Sequence, residues 1–163
     1  MTNRTCLPTT RINRIVSGGQ TGVDRAALDF AIGRGIDHGG WIPKGRKAED
    51  GPLSTVYKMV ETKTAGYAER TRRNVLDSDG TLIIYEGRPS GGTALTGAIA
   101  RQAKKPLLMI NLATTAIDET ARLICKWIAQ NPVEVLNIAG PRASQNPEIY
   151  DRCRELLEKA WGE

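Results

Sequence analysis

Three glycine-bearing turns, at residues 17–22, 90–93 and 139–144, are the part of this sequence best suited to chemistry. Each turn follows a short apolar run and precedes a helical pattern. A strand that ends in glycines and leads into a helix leaves unpaired backbone N–H groups at the positive end of the helix dipole. Because such N–H groups hold anions, the recurring turns predict a phosphate site.

The first turn combines flexible backbone with polar side chains. Asp24, in the first turn of the following helix, either stabilises that helix, or accepts a ribose hydroxyl, or acts as an acid or base. Arg25 either neutralises a phosphate or is solvated. Asp24 is therefore also a candidate catalytic residue. The candidate ligand-binding residues of this segment are Ser17, Gly18, Gly19, Gln20, Thr21, Gly22, Asp24 and Arg25.

The glycine spacing excludes the two commonest nucleotide motifs. A Walker-type loop needs Lys and Ser or Thr after its last glycine, but Val23 follows Gly22, and GxGxxG is absent from this turn. What is left is a generic anion cradle that recurs at Gly91, Gly92 and Thr93.

Other polar residues give weaker indications. Lys44 and Arg46 begin a basic stretch that Glu49 and Asp50 follow, so this stretch either contacts an anion or is a solvated loop. The single histidine, His38, is typical of a structural residue. The three cysteines are widely spaced and indicate neither a disulfide framework nor a zinc site, so we predict no directly coordinated metal.

Length and composition fit one globular domain. The chain has 163 residues, of which 40% are hydrophobic, and a formal net charge of +5. The basic residues are interspersed with carboxylates, so nucleic acid is not an expected partner. We find neither a signal peptide nor an apolar segment of membrane-spanning length, and we expect a cytoplasmic protein with no membrane partner.

Strand and helix patterns alternate along the chain. Strands are predicted at residues 12–16, 36–42, 81–85, 106–110 and 133–138, with helices between and after them. Residues 43–64 lack periodicity, and we expect ligand contacts there. We predict a flexible N-terminal arm at residues 1–11. Residues 12–163 should form a single Rossmann-like three-layer αβα domain with a mostly parallel five-stranded sheet.

Residues 15–31, 39–46 and 78–83 together resemble the molybdenum carrier proteins, a circularly permuted YpsA branch of the SLOG superfamily. The resemblance implies a Rossmann-like fold that binds a nucleotide-like or pterin ligand through its phosphate. The implied cofactor is molybdopterin or a nucleotide. The chain has no thiolate or histidine cluster for the metal, so molybdopterin would be held by its pterin and phosphate.

The chain is also similar to the Lonely Guy phosphoribohydrolases of the same superfamily. Glu69-Arg70, Ser78-Asp79 and the Gly91-Gly92-Thr93 turn occur in the order of their motif, which makes Arg70 the second catalytic candidate. Asn74 follows Arg70 by one helical turn and is expected to share its face. The motif glutamate is absent, because Thr96 stands at that position, and hydrolysis loses its expected acid or base.

The permutation implied by the resemblance predicts the order of the strands. Residues 135–144 match the first strand and turn of Lonely Guy chains, so the last strand should lie in the centre, giving order 2-1-5-3-4. All three glycine turns would then surround one crevice. Gly140, Arg142 and Ser144 would contribute to it, with Arg142 as a phosphate clamp, unless Ser144 only begins the last helix and Arg142 is solvated.

We therefore predict a molybdenum-cofactor carrier or sensor-like protein that binds a small phosphorylated ligand in a glycine-lined crevice. The missing glutamate favours a binding protein over an enzyme, and a nucleotide-processing hydrolase is the alternative. A third hypothesis is an interaction domain in which the glycine turns only allow close packing. Related folds associate through helices, and we expect a homo-oligomer.

Overall fold

A computed structural model describes residues 7–162 of the chain. The described chain contains strands β1 to β7 and helices α1 to α5, in this order: β1 (Arg14–Val16), α1 (Val23–Arg34), β2 (Asp37–Gly39), β3 (Trp41–Ile42), β4 (Val60–Glu61), α2 (Tyr67–Leu76), β5 (Gly80–Tyr85), α3 (Gly91–Gln102), β6 (Leu107–Asn111), α4 (Ile117–Gln130), β7 (Val135–Ala139) and α5 (Ile149–Trp161).

The main sheet has five parallel strands in the order β2-β1-β7-β5-β6. Counted along the chain within this sheet, the order is 2-1-5-3-4, so the predicted permuted topology is confirmed. The last strand, β7, pairs with β1 on one side and with β5 on the other. Leu136 and Ile138 are fully buried on one face of β7 and Asn137 is buried on the other, as a central strand covered on both faces requires.

Helices cover both faces of the main sheet. The larger core joins α1, α4 and α5 to one face, and Phe30 and Trp161 meet in it edge to face at 5.2 Å between ring centroids. The opposite face carries α2 and α3, which pack together through a smaller core that contains Val75 and Ile99. This arrangement is the predicted three-layer αβα domain.

The single strand expected at residues 36–42 is wrong, because Gly40 divides it into β2 and β3. Gly40 has a φ of 125°, and a side chain at this position would collide with the carbonyl oxygen of Ser17. After this glycine the chain leaves the main sheet, and β3 pairs with β4 in a separate two-stranded parallel sheet. Within residues 43–64 the only regular element is β4, and the rest consists of turns and irregular chain, as the lack of periodicity predicts.

The N-terminal residues were predicted to be a flexible arm. Leu7–Arg11 form a 3-10 helix, in which Thr9 is buried and accepts a hydrogen bond from the Ile12 N–H, and residues 1–6 lie outside the described residues.

The prediction from the cysteine spacing missed a disulfide. Cys125 is disulfide-bonded, whereas Cys153 is a buried free thiol. Within residues 7–162, no helix combines the length and apolar character needed to cross a membrane.

Candidate functional site

Side chains and backbone from all three glycine turns line one small cleft at the carboxyl edge of β1, β5 and β7. Its cavity volume is about 30 Å³, enough for one small polar group rather than a whole nucleotide. Polar groups dominate the lining, which consists of Gln20, Asp24, Arg70, Gly92, Thr93, Thr96, Ala139, Gly140, Arg142 and Gln145.

The second turn leaves its backbone donors free. Helix α3 begins at Gly91, and the N–H groups of Gly91 and Gly92 make no hydrogen bond within the described chain. A Cβ at Gly92 would have no atom within 4 Å, so the space above this glycine is open. Thr96, one turn later, donates its hydroxyl to the Gly92 carbonyl at 2.7 Å. This helix start has the features of an anion-binding turn.

The first turn, in contrast, uses its N–H groups internally. Gly19 donates to Ser17 Oγ at 3.3 Å and Gln20 donates to Asp24 Oδ2 at 3.3 Å. The glycines are covered as well, because the Arg70 guanidinium lies against Gly18 and the side chains of residues 42 and 53 lie over Gly19. From this turn, Gln20 is therefore the residue that lines the cleft, and it does so with its side chain rather than with free backbone.

Asp24 and Arg70 meet at the base of the cleft, 3.7 Å apart between Oδ2 and Nη1. Both side chains are almost completely buried, with 4% and 11% exposed respectively. Burial raises the pKa of Asp24, an effect that Arg70, the Gln20 N–H and the two other nearby arginines only partly offset. Thr96 lines the same cleft, so α1 supplies a carboxylate close to the position where the Lonely Guy motif has its glutamate.

Several donors around the cleft have no protein acceptor. Gln20 Nε2 and Arg70 Nε are buried and make no hydrogen bond among the described residues. The guanidinium of Arg142 makes neither a hydrogen bond nor an ion pair with any described residue, although Tyr67 lies 5.2 Å below it. Buried donors normally have partners, so this set indicates an anionic ligand.

Three predicted ligand residues, Thr21, Arg25 and Ser144, instead bind acidic residues of the segment 43–64 and attach this segment to the domain. Glu49 accepts hydrogen bonds from the hydroxyls of Thr21 and Ser144 and from the Ser144 N–H. Burial opposes ionisation of Glu49, but these hydrogen bonds lower its pKa. Arg25 binds Asp50 with two hydrogen bonds of 3.0 and 3.1 Å. The hydroxyls of Thr21 and Ser144 and the terminal nitrogens of Arg25 are thus occupied within the protein, whereas the buried Nε of Arg25 has no partner among the described residues.

The remaining predicted residues lie away from the cleft. Arg46 donates to the carbonyl oxygens of three residues in its own segment, at positions 53, 54 and 57. Asn74 is buried and bridges both backbone polar groups of Trp41, at 2.7 and 3.0 Å. Lys44 is exposed, and its backbone N–H binds the Thr64 carbonyl at 2.9 Å. These three residues support the small sheet.

Sequence reasoning missed Gln145, which lines the cleft, and Tyr67, which lies beside it. The ammonium group of Lys47 lies 4.8 Å from the centroid of the Tyr67 ring. Lys47 is the last residue of the basic stretch 44–47, for which an anion contact was one of the two expectations. His38 is structural in its contacts, since its Nε2 accepts the Lys58 N–H at 3.2 Å and burial lowers its pKa. No cluster of metal-ligating side chains occurs in residues 7–162.

Comparisons with known proteins agree with this fold. A family model described as the circularly permutated YpsA SLOG family matches residues 15–161. A crystal structure of a protein named putative molybdenum carrier protein, from Syntrophus aciditrophicus SB, superposes with a TM-score of 0.92 at 53% sequence identity. The match covers 93% of this chain and 96% of that chain. No curated protein matches the chain.

The permuted parallel sheet, with helices on both faces and two glycine turns that open directly into helices, defines the chain as a Rossmann-like α/β protein. More particularly, the chain belongs to the circularly permutated YpsA SLOG family, since the family model spans nearly the whole of it.

Proposed function

We propose that the protein is a carrier or sensor that binds a phosphorylated nucleotide-like or pterin ligand with one phosphate in the cleft. The observation that carries this proposal is the convergence of unpartnered donors there. The backbone N–H group of Gly92, Nε2 of Gln20, Nε of Arg70 and the guanidinium group of Arg142 lie around one small space. They match the acceptor oxygens of a phosphate.

The name of the similar crystal structure suggests a molybdenum-related ligand. The donors of the cleft fit the phosphate of molybdopterin, and they fit the tetrahedral oxyanion molybdate by the same chemistry. They do not fit a directly ligated metal, because the described residues provide no thiolate or imidazole there. In this proposal the cleft holds the anionic part of the ligand, and the rest of the ligand extends beyond it.

Thermal unfolding with orthophosphate, molybdate, AMP and ADP-ribose tests the proposal. A ligand that binds only the folded state stabilises it by about 2.7 kcal/mol at a hundredfold excess over its dissociation constant. We expect at least one phosphate-bearing ligand to raise the melting temperature, and stabilisation by molybdate alone would instead identify an oxyanion carrier. If none of the four ligands changes the melting temperature, the interaction-domain hypothesis replaces this proposal.

Replacing Gly92 by alanine should separate ligand binding from folding. The new methyl group would enter the open space above α3, where we place the phosphate, and should weaken orthophosphate binding at least tenfold. The fold should be unharmed, since alanine stabilises a helix by about 0.5–1 kcal/mol over glycine. Isothermal titration and urea unfolding measure the two effects.

Gly33 provides the matched control for this variant. It is also a helical glycine at which an added methyl group would meet no atom within 4 Å, but it lies on the far end of α1. Gly33→Ala should give the same gain in stability with unchanged binding. Equal binding by both variants and the unmodified protein would contradict the placement of the phosphate over Gly92.

A nucleotide hydrolase is the second candidate, and the position of Asp24 favours it. This carboxyl group lies in the cleft with Thr96, and its raised pKa suits a general acid. In this reaction Asp24 gives its proton to the departing base as the C1′–N bond breaks. Water then forms the new C1′–O bond and returns a proton to Asp24.

Asp24→Asn tests the catalytic candidate. Asparagine retains an oxygen for the Gln20 N–H but cannot donate a proton as an acid, so base release from AMP should fall by about a hundredfold or more. Phosphate binding should be retained. Chromatography of the released base after incubation is the measurement. If the unmodified protein releases no base from nucleoside monophosphates, the hydrolase candidate is rejected and the binding proposal stands.

A further inference from the structure

Three cations surround a single aromatic ring at the mouth of the cleft. Lys47 Nζ lies 4.8 Å from the ring centroid of Tyr67, and the guanidinium carbons of Arg142 and Arg70 lie 5.2 and 5.3 Å from it. These residues come from three separate parts of the chain: the segment 43–64, helix α2 and the turn 139–144. We refer to Lys47, Tyr67, Arg70 and Arg142 as the Tyr67 cluster.

Protein carboxylates do not balance the charge of the Tyr67 cluster. Arg70 has Asp24, but Lys47 and Arg142 form no ion pair with any described residue. Asp24 and Glu49 both interact electrostatically with Arg142, without direct contact. Glu49 keeps its negative charge while it accepts the hydroxyls of Thr21 and Ser144, so at most two carboxylates oppose the three cations.

Two further acidic residues, Glu69 and Glu61, also have partners within the protein. Glu69 accepts the Thr64 hydroxyl and pairs with Arg73, and Glu61 accepts the Gly45 N–H. A cation is attracted to the face of an aromatic ring, whereas neighbouring like charges repel one another. An anion between the cations would remove this repulsion.

The Tyr67 cluster is distinct from the inner end of the cleft but continuous with it. At the inner end, Gln20 is only 4% exposed and its Nε2 has no partner, next to the free N–H group of Gly92. Arg70 and Arg142 belong to both places, since they line the cleft and also contact Tyr67. Lys47 contacts Tyr67 and does not line the cleft.

We propose that the Tyr67 cluster is a second anion subsite, so that the ligand carries two linked phosphates, as in a nucleoside diphosphate or a related diphosphate ester. This inference rests on the proposed function. The inner phosphate contacts Gln20 and the start of α3, and the outer phosphate lies beside Tyr67. The two arginines bridge both phosphates with their forked donors, and Lys47 contributes a point charge to the outer phosphate alone.

Isothermal titration with orthophosphate and with pyrophosphate, at one fixed salt concentration, tests the second subsite. We expect pyrophosphate to bind at least tenfold more tightly than orthophosphate. Lys47→Ala should remove about fivefold or more of this preference and leave orthophosphate binding within twofold. Lys126→Ala is the matched control, because Lys126 is an exposed lysine on α4, away from the cleft, and it should change neither affinity beyond twofold.

The outcomes separate this inference from the function on which it rests. If orthophosphate binds but pyrophosphate binds no more tightly, the second subsite is rejected and the phosphate-binding proposal stands. An equal loss of both affinities in Lys47→Ala also rejects the subsite, since Lys47 would then act on the first phosphate or on the electrostatic potential of the cleft as a whole. If neither anion binds, the second subsite is rejected, and the thermal unfolding with AMP and ADP-ribose decides separately whether the proposed function stands.

Discussion

Arg70→Ala is expected to weaken phosphate binding by about 10- to 100-fold. A hydrogen bond to a charged group contributes about 1.5–3 kcal/mol, and the buried Nε of Arg70 has no protein partner that could compete for it. Arg70→Lys should recover only part of the affinity, because an ammonium group cannot reproduce the guanidinium fork. Isothermal titration with orthophosphate measures both variants.

Arg73→Ala is the control on the same helix. Arg73 is half-buried, pairs with Glu69 and lies over Trp41, so its removal takes one positive charge from α2 without touching the cleft. It should change the affinity by less than twofold. Equal losses in Arg70→Ala and Arg73→Ala would show that α2 contributes only general charge.

The same Arg70 variant should acquire a pH-dependent stability. Without Arg70, the pKa of the buried Asp24 rises further above its unfolded value, so the folded state holds a proton that the unfolded state releases. Relative to the unmodified protein, Arg70→Ala should therefore lose little stability at pH 4 and progressively more as the pH rises. Urea unfolding across this range measures the trend, and a loss that decreases with pH would contradict the assignment.

Gly22→Ala should destabilise the fold by about 3 kcal/mol or more. Gly22 has a φ of 78° and a ψ of −130°, a conformation that is essentially restricted to glycine. A methyl group there would also collide with the carbonyl oxygen of Pro141, to which the Val23 N–H donates at 3.2 Å. The turns that end β1 and β7 would be forced apart at the point where the permuted strand joins the sheet.

Gly45→Ala distinguishes backbone strain from collision. Gly45 also has a positive φ, 82°, but a side chain there would meet no atom within 4 Å. It should cost about 1–3 kcal/mol from strain alone. The difference between the urea midpoints of the two variants then reports the contact between residues 22 and 141. Identical midpoints would show that this contact adds nothing to stability.

The arginine and glycine predictions concern different roles of the glycine turns. The turn at Gly91 and Gly92 has free N–H groups and open space, which suit a ligand. The turn at residues 17–22 holds the N–H groups of Gly19, Gln20 and Thr21 in internal hydrogen bonds, and its glycines allow close contacts with Arg70 and Pro141. The phosphate proposal therefore depends on the second turn and on side chains that the first and third turns supply. The cytoplasmic location and homo-oligomeric state stay predictions.

The sequence by itself determined the class of fold. Apolar runs ending in glycines and followed by helical periodicity required a parallel α/β sheet, because these local patterns depend on neighbouring residues only. The central position of β7 followed from the resemblance of residues 135–144 to an initial strand. The division at Gly40 was missed, because the collision of a side chain with Ser17 involves residues that are distant in sequence.

Only the tertiary structure decided which polar groups are free. Thr21, Arg25 and Ser144 looked like ligand residues, but Glu49 and Asp50 fold back on them and occupy the two hydroxyls and the terminal nitrogens of Arg25. Gln20 and Arg142 lie near the same segment and keep unpartnered donors. Motifs specify where donors can occur along the chain, whereas the acceptors that occupy them come from segments far away in sequence. The identity of a binding site is therefore decided when those segments pack.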